Sequence, residues 1–292
     1  MKTLDVAGLD ALRLTTQLLQ RARVEDRRSG VWEAADFQWW WRKPRPSDAV
    51  DQRFWLDESG PIAAAVLTDW TTTWGLEPIA VGAVPATLRE EVLSDALARA
   101  DAIAVERVET LVRDDDVAGA ERLRRAGFTP TDVRSGMTWM DAERRPASPP
   151  LADGLRLVDR ASRSDGQHPM ARRNGAETEA RLRQVSLYDP GLDLAITTPA
   201  GDVAAYALFW FDPVTRVGLI EPMRVEDAWQ RRGLGRVLVA EGCERLARRG
   251  ATLLKVGWAS PSGRALYLGS GFDDEVLCTT FARAQTTQTK RG

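Results

Sequence analysis

Apolar positions recur along this chain at helical and strand-like intervals, in an order that is run through twice. Between Leu9 and Val24, Leu12, Leu18, Leu19 and Ala22 fall at near-helical spacing, which predicts a helix with one apolar face. Short apolar runs follow at Phe54 to Leu56, Ile62 to Thr68 and Leu76 to Val81, and read as strands. A helix over Ala86 to Ala102, a strand near Val108 to Val112, a helix near Val117 to Ala126 and a strand near Met137 to Trp139 complete the first pass. The second pass opens at Leu155 to Val158 and continues through a helical stretch with no sharp boundaries. Strand-like runs then occupy Leu192 to Thr197, Val203 to Phe211 and Val217 to Val225. Helix Gly233 to Arg249, strand Leu253 to Trp258, helix Ser262 to Gly269 and strand Val276 to Arg283 close it. Strands outnumber helices and several follow one another directly, so the pattern predicts an α/β fold of the α+β kind, with a mixed sheet containing antiparallel hairpins.

The two passes share sequence as well as order. Leu76-Glu77-Pro78-Ile79-Ala80-Val81 matches Ile220-Glu221-Pro222-Met223-Arg224-Val225 at an offset of 144 (76 to 220), and Ala126-Gly127-Phe128 matches Ser270-Gly271-Phe272 at the same offset. The simplest reading is a duplicated domain of roughly 140 residues. It gives a first domain over 1–141, a proline-bearing linker over 142–154 and a second domain over 155–292.

Chemistry concentrates at the end of the Val217 to Val225 strand. There the chain reads Gln230-Arg231-Arg232-Gly233-Leu234-Gly235-Arg236 and opens a helix. Glycines allow close backbone approach, and the first turn of a helix leaves N–H groups unpaired beside the positive end of its dipole. Three arginines crowd that end, where a dipole disfavours cations, and a bound pyrophosphate would resolve the conflict. The first copy lacks these parts: at the same offset Gly233 corresponds to Arg89, Gly235 to Glu91 and Tyr267 to Leu123.

With this loop in place, Leu266-Tyr267-Leu268-Gly269-Ser270-Gly271-Phe272 resembles the Leu-Tyr-x-x-x-Gly-Phe signature of the GCN5-related N-acetyltransferase (GNAT) superfamily, and Gln230-x-x-Gly233-x-Gly235 resembles that family's pyrophosphate loop. The resemblance is strongest over 200–283 and implies two tandem GNAT-like domains, the first degenerate. It implies an acyl-CoA cosubstrate, acetyl-CoA or another short acyl-CoA, held by the backbone of Met223, Arg224 and Val225 and by Gln230, Arg231, Arg232, Gly233, Leu234, Gly235 and Arg236. The family's usual Asn aligns with Ser260, a departure that weakens one cofactor contact. The implied activity is direct N-acyl transfer to a primary amine of a small molecule or a protein. A non-catalytic acyl-CoA sensor is the rival reading.

Two side chains carry the expected chemistry. Tyr267, a phenol protonated at neutral pH, is the candidate proton donor to the departing thiolate. Glu221 is the candidate general base, but the degenerate copy keeps Glu77 in the same Glu-Pro context, so a structural role stands beside the catalytic one. His168, the single histidine, lies in a polar loop and reads as a surface residue, with a place near the acceptor as the sharper alternative. Trp39, Trp40 and Trp41 read either as an interface between domains or as an aromatic wall for a cationic amine. Arg42, Lys43 and Arg45 read as a solvated basic patch. Cys243 reads as core, and Cys243 and Cys278 have neither metal-ligand nor disulfide-framework spacing.

Bulk composition narrows the rest. The chain has 292 residues, is 43% hydrophobic and 28% charged, and carries a net charge of −2, so nothing global draws it to nucleic acid or a membrane surface. The N-terminus lacks a signal peptide's apolar core, and a cytosolic enzyme without metal is expected. The duplication mildly favours a monomer.

Overall fold

The computed structural model describes residues 1–70, 73–163 and 166–284. Twelve strands and eight α-helices are found among them. In chain order they are β1 (Lys2–Val6), α1 (Gly8–Glu25), α2 (Ala34–Trp40), β2 (Gln52–Asp57), β3 (Gly60–Asp69), β4 (Trp74–Ala80), α3 (Ala86–Ala102), β5 (Arg107–Arg113), α4 (Val117–Arg125) and β6 (Thr129–Asp141). Then come β7 (Arg156–Asp159), α5 (Ala171–Asn174), α6 (Thr178–Leu182), β8 (Asp193–Thr197), β9 (Val203–Asp212), β10 (Val217–Val225), α7 (Leu234–Arg248), β11 (Leu253–Trp258), α8 (Pro261–Leu268) and β12 (Asp274–Ala284). The periodic helices lie where their spacing places them. The unbounded helical stretch of the second pass is α5 and α6, two helices too short to carry a period. Strand β1 and helix α2 have no counterpart in the sequence reading. None of the described helices is long and apolar enough to cross a membrane.

The chain divides into two compact units that interleave in sequence. One holds residues 1–37, 44–135 and 276–292, the other 38–43 and 136–275. In the first unit β1, β2, β3 and β4 form an antiparallel meander, β4 and β5 pair in parallel, and β12 pairs antiparallel with β5. In the second unit β7, β8, β9 and β10 form the same meander, β10 and β11 pair in parallel, and the end of β6 pairs antiparallel with β11. The duplicated sequence therefore builds a duplicated topology. In each, the outer antiparallel strand lies in the stretch of chain that follows the other copy's α/β elements.

Helices α3 and α7 pack against the sheets of their own units, and α1 packs on β3 and β4 of the first. In the first, Leu88, Val92, Leu93, Ala96, Leu97 and Ala100 make the inward stripe of α3, at the spacing of one helix face. They pack with Leu67, Leu76 and Val108, and Phe281 of β12 joins this core. In the second, Leu234, Val237, Leu238, Cys243 and Leu246 of α7 cover Ala207 and Phe209 of β9, Ile220 of β10 and Leu254 and Val256 of β11. Cys243 is core, as its apolar neighbours suggest, and burial pushes its thiol up to about 12.

Candidate active site in the second unit

Strand β10 determines the site. It pairs with β9 from Val217 to Val225, with a register shift between Ile220 and Met223. Its parallel ladder with β11 stops earlier, at Ile220 opposite Val256. Pro222 has no N–H to give to a ladder, and a bulge bends the strand that carries it. Burial follows the same break: Val217 to Ile220 are buried, and Glu221 to Val225 are half-exposed. Beyond Ile220, β10 has no further pairing with β11.

The loop that follows is shaped by two left-handed residues, Arg231 at φ 64° and Gly233 at φ 81°. Gly233 is the residue before α7 and offers no side-chain cap to the helix. Among the described residues, the N–H groups of Arg231, Arg232, Gly233, Leu234 and Gly235 have no hydrogen-bond partner, since the first N–H groups bonded back are those of Arg236 and Val237, both to the Gly233 carbonyl. Gly235 is needed for close approach: a Cβ there would stand 3.0 Å from Leu266 Cδ2, where α7 meets α8. Arg231, Arg232 and Arg236 are exposed, and none makes an ion pair among the described residues. Arg232 stacks on Trp229, 4.8 Å from its ring centroid. Open amides, a helix N-terminus and three uncompensated guanidinium groups on one loop make an anion seat.

Two sequence-predicted side chains meet here. Tyr267 on α8 is 7% exposed, its ring edge-on to Phe272 at 6.3 Å. Burial, and then the charge of Glu221, raise the phenol well above its ordinary pKa. Glu221, 46 positions earlier in the chain (267 − 221), therefore acts on Tyr267 through space. The Tyr267 hydroxyl donates no hydrogen bond to the described residues. Glu221 is held by its backbone, its carbonyl accepting from Trp210 Nε1 at 2.6 Å.

The other predicted residues have local partners. Ser260 caps α8, its hydroxyl accepting from the Gly263 N–H at 3.1 Å. The Arg224 side chain pairs with Asp227 at 3.0 Å and Glu226 at 3.4 Å, and its backbone lies opposite Tyr206 in the ladder with β9. Gln230 Nε2 reaches the Val225 carbonyl at 3.4 Å and Asp227 Oδ1 at 3.1 Å, tying the loop to the strand.

His168 is not a surface residue. It is 4% exposed, with Nε2 at 2.7 Å from Asp193 Oδ2 and Nδ1 accepting from the Met170 N–H at 3.2 Å. Because Nδ1 accepts, Nε2 of the neutral ring carries the hydrogen that reaches Asp193. Tyr188 donates to the same oxygen at 2.9 Å. The polar loop around His168 suggested solvent, but its partner opens β8, 25 residues on, and no local pattern announces that contact. The basic patch is corrected as well. Arg42 lies over Trp39 at 3.9 Å and donates to Asn174 Oδ1 at 2.6 Å, and Arg45 lies over Trp70 at 4.5 Å. Trp39 and Trp40 are buried, and Trp41 donates to Gln184 Oε1 at 2.8 Å beneath the Arg181 guanidinium.

Comparison with known proteins agrees with this geometry. Residues 163–272 match the acetyltransferase (GNAT) family. A search of curated proteins returns no match. Among solved structures, the chain is similar to a tandem GNAT protein from the clavulanic acid biosynthesis pathway, at 16% identity and a TM-score of 0.69 over 97% of this chain and 98% of that one. It is similar to a GCN5-related N-acetyltransferase from Sphaerobacter thermophilus, at 16% identity and a TM-score of 0.57 over 97% and 95%. A GCN5-related N-acetyltransferase from Kribbella flavida matches at 14% identity and a TM-score of 0.55 over 92% and 97%. At these identities the structures establish a shared fold, and the family match covers the residues that build the site. Residues 163–272, in the second half of the chain, match the GNAT family, and the chain along its length shares the fold of a tandem GNAT protein.

Proposed function

We propose that the second unit is an acyl-CoA-dependent N-acyltransferase that moves an acetyl or other short acyl group directly onto a primary amine of a small molecule or a protein. The observation that carries this reading is the end of the β10–β11 ladder at Ile220, beside a helix N-terminus with open amides and unpaired arginines. The residues fit the cosubstrate. The backbone of Met223 to Val225 would hold an amide-bearing arm as a strand holds its neighbour. The amides of Arg231 to Gly235, with the three arginines, would hold a pyrophosphate.

Acetyl-CoA supplies an acyl group already activated as a thioester. The amine that attacks its carbonyl carbon must shed a proton, and Glu221 would take it, directly or through a water. As the C–S bond breaks, negative charge gathers on sulfur. Tyr267 stays protonated and can donate a hydrogen bond there. A thiol has a pKa of about 8.5, and the Tyr267 phenol lies far above that. Full transfer of its proton to the sulfur is uphill, so its contribution is stabilisation of the developing charge.

Calorimetric titration of acetyl-CoA into the wild type and into a Gly233→Glu, Gly235→Glu double variant tests the reading. The expected result is a Kd on the order of micromolar that is lost in a double variant still folded by circular dichroism. A wild type that binds neither acetyl-CoA nor longer acyl-CoAs sinks the proposal. Binding without turnover on any amine would leave an acyl-CoA sensor in place of an enzyme.

A further inference from the structure

The first unit has lost the pyrophosphate loop, yet a cavity of about 610 Å³ opens in it where β4 and β5 part. The parallel pairing of these strands covers Trp74 and Gly75, opposite Val108 and Glu109, and stops there. The volume falls within the range of small-molecule sites, roughly 300–1,000 Å³. Leu19, Ala22, Val92, Leu93 and Val112 make an apolar wall. Arg89 and Glu91, which replace the two loop glycines, are used locally. Arg89 Nη2 donates to the Val81 carbonyl at 2.8 Å, and Glu91 accepts from Trp55 Nε1 at 3.1 Å. Both positions lie inside α3, so the glycine loop that precedes α7 in the second unit has no equivalent at this cavity.

It has a different polar arrangement. Arg89 and Arg122 both line it and both are half-buried. The Arg122 guanidinium has no hydrogen-bond partner among the described residues, and its Nε is fully buried. Arg89 uses only Nη2. Burial and the charge of Arg122 lower its pKa, so the two cations feel each other. Of the nearby acids, Asp116 caps α4 through the Gly119 N–H at 2.8 Å, Glu25 accepts from the Gly82 N–H at 2.7 Å, and Asp115 holds Arg113 at 2.6 Å; Asp116 and Glu25 offset part of the Arg89 charge, but none of the three makes a salt bridge to Arg89 or Arg122 among the described residues. Also lining the cavity is Glu77, 5% exposed, accepting from Trp32 Nε1 at 2.7 Å. Burial pushes its carboxyl up to about 8, so at neutral pH it is mostly uncharged and can donate a hydrogen bond.

We propose that this cavity binds a small organic anion, a carboxylate or a phosphate monoester, with its charged end received by Arg89 and Arg122 and an uncharged polar end at Glu77. Two half-buried cations that make no salt bridge and are only partly offset by Asp116 and Glu25 are costly, and an anion between them lowers that cost. An apolar wall beside the charged end selects an organic body over a bare inorganic ion. The inference stands whether or not the second unit transfers acyl groups.

Calorimetric titration of the full chain with hexanoate, phenyl phosphate and uncharged hexanamide tests it. The expected result is a Kd below about 1 mM for one of the two anions and no binding of hexanamide. Which anion binds separates the carboxylate from the phosphate source. Arg122→Gln should weaken that anion roughly tenfold or more, the loss of a charge-assisted hydrogen bond, without lowering the thermal midpoint of the unliganded chain, because the substitution breaks no hydrogen bond among the described residues and relieves repulsion with Arg89. The Gly233→Glu, Gly235→Glu variant should bind the anion as the wild type does. The proposal is overturned if neither anion binds, if Arg122→Gln binds equally well, or if the glycine variant loses binding, which would put the anion at the second unit's loop. Competition by acetyl-CoA in the glycine variant would also overturn the assignment to a compact ligand.

Discussion

At the scale of single residues, environment changes what a side chain can do. Tyr267 is legible as a donor from its place in a signature, but its role depends on burial and on the charge of Glu221, which hold its proton in place. Tyr267→Phe should lower kcat by about tenfold to a hundredfold, the worth of one hydrogen bond to developing charge, and leave the KM for acetyl-CoA nearly unchanged. A matched rise in KM with kcat intact would assign the tyrosine to binding. Glu77 shows the opposite case, a glutamate repeated in sequence that lies in a different setting. Its pKa is raised from 4.5 to about 8 by burial, so the folded chain holds its proton more tightly than the unfolded chain does. The stability this lends is full below about pH 4.5 and is lost as the pH climbs to about 8. Glu77→Gln keeps an acceptor for Trp32 and removes the titration. Its thermal midpoint relative to wild type should therefore rise steadily across that window, and a flat difference would mean Glu77 titrates normally.

At the scale of elements, helix α7 and strand β10 position the site together. Periodicity places α7 within a residue of its observed ends, because its apolar stripe is long and regular. What periodicity does not show is how closely the helix lies on the sheet. Gly242 sits mid-helix on the buried face, and a Cβ there would overlap the ring of Phe209 on β9. Helix propensity alone would make Gly242→Ala stabilising by about 1 kcal/mol. Overpacking should reverse the sign and cost about 1–3 kcal/mol. Urea unfolding decides between them, since a more stable alanine variant would show that α7 can lift from the sheet at little cost. The end of the β10–β11 ladder belongs to this scale as well. The Glu-Pro dipeptide marks where pairing can fail, but only the parallel neighbour, reached through α7, shows which edge of β10 opens.

At the scale of the whole molecule, the chain's connections matter more than its repeat. Strand β12 pairs with β5 from Cys278 opposite Arg113 to Ala284 opposite Arg107, and Phe281 fills the first unit's core. The end of β6 pairs with β11, and Met140 and Ala142 enter the second unit's core. Fragments cut where the repeat suggests, 1–141 and 155–292, would each lose a strand and leave a long unpaired edge, a site for aggregation. Each fragment made alone should be insoluble or lack a cooperative thermal transition, and co-expression should restore both. A 1–141 fragment that melts cooperatively by itself would show that β12 is dispensable. The sequence by itself determined the elements, their duplicated order, the glycine loop with its arginines, and the signature bearing Tyr267, because each is written in the local spacing of residue types. Only the tertiary structure decided that Glu221 acts on Tyr267, that His168 is buried on Asp193, that Arg89 and Arg122 share a cavity, and that the last strand completes the first unit. Those facts depend on pairings between residues distant in the chain, and local periodicity carries no record of which distant strand a strand will join.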